Sequence, residues 1–284
     1  MKLLLTGATG FTGQHFIAAA RELGHEVFVL RAKLEDAEAL RYEVAQRQPE
    51  AVLHLAGISF VAHQDVSAFY HVHVVGSLNL LAALATLVKP PRSVLLASSS
   101  NVYGNCEQSP ITEQQPPAPI SHYATSKLAM EYMARTYLDR LPLFFVRPFN
   151  YTGVGQSDVF VIPKLVAHFA RRAACVELGN LAVEREFNDV RFVCDVYLSL
   201  LEKAVPGEIY NVCSNHPVTL KAVIAQLAAI TGHHLDVRVN PAFVRANEIQ
   251  RLCGSTDKLV ATIGSVAMPT LSETLGWMLE SAGA

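Results

Sequence analysis

The chain has 284 residues, 51% hydrophobic and 17% charged, so it is long enough for one or two packed domains and too apolar to remain disordered. Its formal net charge of −2 gives no electrostatic reason to expect nucleic acid or an anionic membrane as partner. No leader-like n-region, h-region and cleavage site opens the chain, and no apolar stretch reads as a membrane span.

Lys2-Leu-Leu-Leu-Thr6 is an apolar run of the length of one buried strand. It breaks at Gly7-Ala-Thr-Gly10-Phe-Thr-Gly13, and a helical pattern follows at once over residues 14–23. Strand, glycine turn and helix together present free backbone N–H groups to a phosphate. Gly7 would make the tight turn, Gly10 would allow close backbone approach, and Gly13 would let the helix pack on the strand. The plain alternative is an ordinary glycine-rich turn. Dinucleotide binding is the stronger expectation, with Gly7, Thr9, Gly10, Phe11, Thr12 and Gly13 against the ligand.

Residues 26–30 form a second β-like run ending at Arg31, and 34–48 carry helical spacing up to Pro49. A strand at 51–56 precedes Gly57, and a long helical pattern at 65–87 ends at Lys89-Pro-Pro91. The strand at 93–97 runs into Ser98-Ser-Ser-Asn-Val-Tyr103. A loop rich in Pro and Gln leads to a helix at about 121–139, and a strand at 143–147 closes at Pro148. This alternation predicts an α/β fold: a Rossmann-type, doubly wound parallel sheet covered on both faces. Ligands in such sheets sit beyond the carboxyl ends of the strands. That singles out Gly7–Gly13, Arg31, Leu55-Ala56-Gly57, Ser98-Ser99-Ser100 and Pro148-Phe-Asn150. The expected division is 1–152 as the dinucleotide-binding domain, with the chain returning to it around 185–212, and 153–284 as mainly a smaller lobe. That lobe is expected to hold helices near 162–172, 220–230 and 271–280, with strands near Val176, Ile209 and 235–239.

Five cysteines, Cys106, Cys175, Cys194, Cys213 and Cys253, include no C-x-x-C pair. They point to reduced thiols in a cytoplasmic protein, against a disulfide frame or zinc site. Among eleven histidines, His63 and His71-Val-His73 invite a metal reading, but His-x-His without His-Glu-x-x-His is a weak ligand set and no metal is expected.

Tyr123-Ala-Thr-Ser-Lys127 near a helix start puts a phenol and an ammonium on one face, one turn apart. The ammonium is expected to lower the phenol's pKa, so that Tyr123 exchanges a proton with a substrate oxygen. Ser99, ending the neighbouring strand, would hydrogen-bond that oxygen. The competing reading is a surface Tyr and Lys beside a polar strand end.

Thr6-Gly-x-x-Gly10-Phe-x-Gly13, His54-Leu-Ala56, Ser98-Ser99 with Val102-Tyr-Gly104, Tyr123-x-x-x-Lys127 and Arg147-Pro-Phe-Asn150 resemble the extended short-chain dehydrogenase/reductases nearly end to end. The resemblance implies enzymes of nucleotide-diphosphate sugars with Ser99, Tyr123 and Lys127 as the catalytic set. Tyr123 and Lys127 would also contact the nicotinamide half. In the second half, Arg147-Pro-Phe-Asn-Tyr-Thr-Gly-Val-Gly-Gln156, Gly179-Asn-Leu181, Arg185-Glu-Phe-Asn-Asp-Val190, Tyr210-Asn-Val-Cys-Ser214 and Arg245-x-x-Glu248 are similar to the GDP-4-dehydro-6-deoxy-D-mannose reductases. This implies that Ser99, Ser100, Tyr123, Asn150, Lys164, His168, Arg185, Arg245 and Glu248 face a nucleotide sugar, with a GDP-sugar favoured. The family's dehydratases place an Asp-Glu pair where this chain has Ser100-Asn101, which disfavours dehydration. At the end of the second strand stands Arg31, with no carboxylate beside it, so NADP(H) is preferred and NAD(H) possible. A third strand is nearly absent, leaving Leu34 to approach the adenine. His73 and His122 replace the family's usual Asn and Pro. The expected activity is reduction of a 4-keto-6-deoxyhexose, GDP-4-keto-6-deoxy-D-mannose to GDP-D-rhamnose. The alternatives are a UDP- or dTDP-sugar 4-epimerase or reductase and, more remotely, a non-catalytic NADP-binding sensor. A homodimer through the two long helices is implied by the same resemblance.

Overall fold

The computed structural model describes residues 1–61, 64–243 and 248–283, so His63 and Arg245 lie outside the described residues. The first half runs β1 Lys2–Thr6, α1 Phe11–Glu22, β2 Glu26–Val29, α2 Ala37–Arg47 and β3 Ala51–His54. It continues through α3 Val66–Tyr70, a π-helical stretch His71–Gly76 and α4 Ser77–Leu84 to β4 Ser93–Ala97, a 3-10 turn Ser100–Tyr103, α5 His122–Arg135 and β5 Leu143–Pro148. The second half holds β6 Tyr151–Thr152, α6 Val161–Ala170, β7 Cys175–Leu178, β8 Glu184–Arg185, β9 Asn188–Asp189, α7 Val190–Lys203 and β10 Ile209–Val212. After these come β11 Val218–Thr219, α8 Leu220–Thr231, β12 Asp236–Val239, β13 Arg251–Leu252, α9 Asp257–Ile263 and α10 Leu271–Ser281.

Six strands form one parallel sheet in the order β10-β5-β4-β3-β1-β2. The chain leaves β1 for β2 on one side and then crosses to β3 on the other. The order therefore reverses at β1/β3, and the crevice for a ligand opens beyond their carboxyl ends. Alternation along each strand explains why both faces are covered. Leu3 and Leu5, Leu53, Leu95, and Phe144 and Val146 pack with α1 and α7. Leu4, Val52, Val94 and Leu96, and Leu143 and Phe145 pack with α2, α4 and α5. All of these side chains are at most 1% exposed, and each buried Leu or Phe stabilises the fold by roughly 1.5–3 kcal/mol.

Residues 66–84 form a 19-residue run with a mean hydropathy of 1.3, which corrects the expectation that no stretch reaches the length of a membrane span. One face of the run is buried in the core: Phe69, Leu80, Leu81 and Leu84 are buried, and Leu80, Leu81 and Leu84 pack with Leu40 and Val44 of α2. The continuous helix expected over 65–87 is also corrected, because the π-helical stretch interrupts it. The expected helix at 121–139 ends instead at Arg135.

Outside the main sheet, α6, α8 and α10 share an apolar core with β7 and the parallel pair β7–β12. A three-stranded sheet β11-β8-β13 lies beside them. A fourth apolar cluster, Val102, Tyr103, Ile111, Phe149, Cys213, Ile249 and Leu252, joins these elements to the strand ends. Two helices lack any counterpart among the sequence expectations, α7 and α9. Helix α7 is the larger, capped by Asp189, which accepts from Arg191 N, and it buries nine of its fourteen residues.

Candidate active site

The glycine turn is built as the sequence implies. Gly7 sits at φ +72°, and a Cβ there would lie 2.8 Å from Ala56 N. A Cβ on Gly13 would lie 2.3 Å from Gly7 O and 2.7 Å from the Cα of Ala8, so any larger residue would force α1 away from β1. Gly10 N–H donates to Gly7 O at 3.0 Å. Gly10 is also the N-cap of α1 and has no side chain to accept from the first-turn N–H groups, which leaves them to an anion. Thr9 O accepts from Gln14 Nε2 at 3.1 Å. Phe11 stacks on Tyr151 at 6.1 Å, and Thr12 Oγ1 bonds Tyr151 Oη at 2.8 Å.

Next to this cradle, β1, β3 and α4 are tied by one buried hydrogen-bond chain. Ala56 N–H donates to Thr6 Oγ1 (3.0 Å), so the Thr6 hydroxyl donates to His54 Nδ1 (2.7 Å). His54 Nε2 then donates to Ser77 Oγ (2.8 Å), whose hydroxyl donates to His73 O (2.6 Å). Burial, aided by the Lys127 charge, lowers the His54 pKa to about 3, so the ring is neutral. Leu55 is partly buried under the cradle, and Ala56 and Gly57 follow it at the mouth.

The strand-end hydroxyls converge with α5. Ser98 Oγ is buried and has no hydrogen-bond partner, a donor and acceptor left for something outside the chain. Ser99 Oγ accepts from Asn101 N–H and Asn101 Nδ2, both at 3.2 Å, and the Ser99 hydroxyl stands near enough to the Tyr123 phenol to oppose the rise that burial imposes on its pKa. An oxygen accepting twice has its one proton left to donate, here toward Tyr123. Ser100 is buried at the first position of the 3-10 turn. Ser121 caps α5 by accepting from Ala124 N–H, which fixes Tyr123 and Lys127 in its first two turns.

Lys127 Nζ donates to Ala97 O at 2.8 Å, and burial lowers its pKa to about 8, with Glu131 opposing that shift. The expected lowering of the Tyr123 pKa is corrected. Burial raises it, and the nearby Ser99 hydroxyl opposes that rise. The phenol is therefore a protonated acid in this state. Below it, Arg147 and Glu131 form a buried bidentate pair at 2.9 and 2.7 Å, with the guanidinium 4.7 Å from the Tyr103 ring centroid. The pair bolts α5 to β5.

Beyond the end of β2, Arg31 is exposed and no hydrogen bond or ion pair engages its guanidinium among the described residues. The expectation of a strand end without a carboxylate is corrected: Glu43 reaches over from α2. Its oxygens accept from Arg31 N–H (3.1 Å each) and Ala32 N–H (2.7 Å). Nothing local in the sequence signals this, since it depends on α2 folding back over β2. Leu34 packs beneath Gly76, where a Cβ would lie 3.0 Å away, and its carbonyl accepts from Asn79 Nδ2 at 2.8 Å.

The remaining candidates line the side facing the second half of the chain. Pro148 ends β5, and exposed Asn150 accepts from Asn188 N–H at 2.9 Å through its carbonyl. Lys164 Nζ donates to Glu177 O (2.8 Å) over the Phe243 ring. His168 is held by Lys164 O and Arg171. The Arg185 guanidinium donates to Glu184 O (2.8 Å), Gln250 O (3.4 Å) and Ile249 O. Glu248 Oε2 is buried without a partner. A residue unmarked by sequence reasoning, Glu186, is fully buried and accepts from Gly254 N, Ser214 N and Ser214 Oγ, joining three distant segments. His122 bonds Tyr70 Oη at 3.0 Å.

The residues present fit a nicotinamide dinucleotide: a glycine cradle at a helix N-terminus, an orphaned Ser98 hydroxyl, a buried Lys and an unengaged Arg at the end of β2. Comparison with known proteins agrees. Residues 3–213 match the model of the NAD dependent epimerase/dehydratase family. The chain is 32% identical to a GDP-6-deoxy-D-talose 4-dehydrogenase from Aggregatibacter actinomycetemcomitans, covering 93% of this chain and 92% of that one. It is 34% identical to a GDP-6-deoxy-D-mannose reductase from Pseudomonas aeruginosa, covering 96% and 94%. The structure of RMD from Pseudomonas aeruginosa complexed with NADPH superposes with a TM-score of 0.90 at 32% identity, covering 99% and 97%. The chain is therefore a member of the NAD dependent epimerase/dehydratase family of extended short-chain dehydrogenase/reductases, a nicotinamide-dependent oxidoreductase.

Proposed function

We propose that the chain is an NADPH-dependent reductase of the 4-keto group of a nucleotide-diphosphate 4-keto-6-deoxyhexose, acting on GDP-4-keto-6-deoxy-D-mannose to give GDP-D-rhamnose. The observation that carries this reading is the burial together of Ser99, Tyr123 and Lys127 where the end of β4 meets the start of α5, beside the glycine cradle, with Lys127 tied to Ala97 O. Bound NADPH would supply the hydride. Tyr123, held as a protonated phenol, donates its proton to the C4 oxygen, and the Ser99 hydroxyl donates a hydrogen bond to the same atom. Lys127 offers its ammonium to the ribose, and Arg31 its guanidinium to a 2′-phosphate. Elimination of water across C5 and C6 would need a base for the C5 proton and an acid for the C6 hydroxyl. Ser100 and Asn101 supply neither, and the Asn101 amide is already committed to Ser99.

On the other side of the crevice, Asn150, Lys164, His168, Arg185, Arg245 and Glu248 would meet the nucleotide sugar. The names of the two relatives support a GDP-sugar. They also favour a second reading of the product, because 6-deoxy-D-talose and 6-deoxy-D-mannose differ only in configuration at C4. Incubation with NADPH and a panel of GDP-, UDP- and dTDP-4-keto sugars tests the assignment, read by nicotinamide absorbance and by the NMR coupling of the product's H4. No absorbance loss with any sugar sinks the reductase. Turnover without net NADPH consumption, on tightly held NAD, makes it an epimerase. We further propose a homodimer through α3–α4 and α5, where Val75, Leu78 and Tyr132 are 43%, 38% and 62% exposed. Sedimentation as a monomer would refute that.

A further inference from the structure

His73 stands at the one place where three parts of the site meet. The π-helical stretch His71–Gly76 carries one extra residue in its turn, and it delivers His73 into the interior at 1% exposure while Val75 faces outward. Such a local widening of a helix is rare and is frequently found at functional sites. The hydrogen bonds of the ring then follow by elimination. Ile58 N–H donates to Nε2 at 3.0 Å, so Nε2 carries no proton. The ring proton must sit on Nδ1, where it is donated to Ser126 Oγ at 2.8 Å. Ser126 in turn donates to Tyr123 O at 2.8 Å. The ring also stands edge-on to the Tyr123 ring, with centroids 5.7 Å apart. A Cβ on Gly57 would lie 3.1 Å from His73 Nε2 and 3.2 Å from Lys127 Nζ. Imidazole and ammonium thus converge over the same glycine, with no room for a larger residue between them.

We propose that His73 is a positioning residue: by accepting from Ile58 and donating to Ser126 it clamps the loop after β3 to the Tyr123–Lys127 turn of α5. The clamp sets where the phenol and ammonium stand relative to a ligand lying over Ala56-Gly57. This rests on reading Tyr123 and Lys127 as the catalytic pair. Only a neutral ring can serve, since an imidazolium would lose its acceptor for Ile58 N–H and set a second positive charge beside Lys127. The low His73 pKa, driven by burial and then by Lys127, agrees with this.

Two substitutions separate clamping from space-filling. His73→Asn keeps one acceptor and one donor on a smaller side chain, whereas His73→Phe keeps a ring and loses both. The expected result is a kcat about 10–100-fold lower in His73→Phe, largely restored in His73→Asn, with NADPH affinity by fluorescence little changed in either. A His73→Phe enzyme with wild-type kcat, or a His73→Asn enzyme as slow as His73→Phe, overturns the proposal. Should His73→Phe fail to fold, Ser126→Ala removes both the acceptor for His73 and the bond to Tyr123 O, and is expected to lower kcat without weakening NADPH binding; unchanged kcat counts against the clamp. A readout independent of turnover is the imidazole 15N spectrum at pH 7, assigned by loss of the signal in His73→Asn. It should show the neutral Nδ1–H form; an Nε2–H form or an imidazolium refutes the geometry. That measurement stands even if the wild type reduces no keto sugar, which would instead remove the functional reading.

Discussion

The two walls of the crevice are built differently. On the wall made by the strand ends and α5, most polar side chains have a directed partner, the Ser98 hydroxyl excepted: Ser99 with Asn101, Lys127 with Ala97 O, and His54 and His73 through both ring nitrogens. On the facing wall, Lys164 and Arg185 lean on backbone carbonyls and Glu248 keeps a buried oxygen with no partner. Carbonyls are neutral acceptors, and a diphosphate offers full negative charge in charge-assisted bonds roughly twice as strong. On the proposed assignment, the contrast is between a proton-transfer wall whose bonds are set before a ligand arrives and a recognition wall whose bonds to neutral carbonyls can be exchanged.

Breaking the first wall should cost most. Tyr123→Phe removes the acid and should lower kcat by about 10²–10⁴-fold while NADPH binding, read by fluorescence, stays near wild type; preserved turnover would remove Tyr123 from the mechanism. Glu131→Gln leaves Arg147 buried and uncompensated, and should cost about 3–5 kcal/mol in urea unfolding. A loss below about 1 kcal/mol would show that the pair does not bolt α5 to β5.

The buried histidines give the same wall an acid signature. Their folded pKa values, about 3 for His54 and about 2 for His73, lie below the unfolded value of about 6.5. The unfolded chain therefore binds more protons below that value, and stability falls as pH drops from there toward 3. Each ring contributes a slope of about 1.4 kcal/mol per pH unit. His73→Asn should reduce the slope between pH 6 and 4.5 by one such increment, measured by denaturant unfolding; an unchanged slope would mean that the ring is not held neutral.

The facing wall and the adenine end should respond more mildly. Arg31→Ala should weaken NADPH by about tenfold, or 1.4 kcal/mol, and leave NADH nearly unaffected in titration calorimetry; equal losses would deny Arg31 a 2′-phosphate role. Lys164→Met should raise KM for the sugar several-fold with kcat unchanged, the mark of uniform binding. A fall in kcat instead would place Lys164 on the chemical wall.

What the sequence disclosed follows from how local the physics is. The glycine turn with its flanking strand and helix depends on neighbours within a dozen residues, as does the pairing of Tyr123 with Lys127 on one helix face. Helix α7 escaped because Phe192-Val-Cys-Asp-Val-Tyr197 is rich in β-branched and aromatic residues that read as strand. It is helical because tertiary packing buries it on several sides. Glu43, Glu186 and the His54–Ser77 link were invisible for another reason. Their partners lie 11 to 68 residues away, and no spacing rule reaches that far. His73 was noticeable as a departure from the family's Asn, but its tautomer and its bond to Ser126 needed the fold.

Glu43 has a last consequence, for how the molecule keeps to itself. With no third strand beyond it, β2 is an outer strand of the sheet, and the N–H groups at its end would be a docking strip for another chain's backbone. The Glu43 carboxylate already occupies the N–H groups of Arg31 and Ala32 and presents negative charge to anything approaching. A side chain folded over from α2 thus satisfies two backbone N–H groups that a neighbouring chain's carbonyls would otherwise find open at the edge of the sheet.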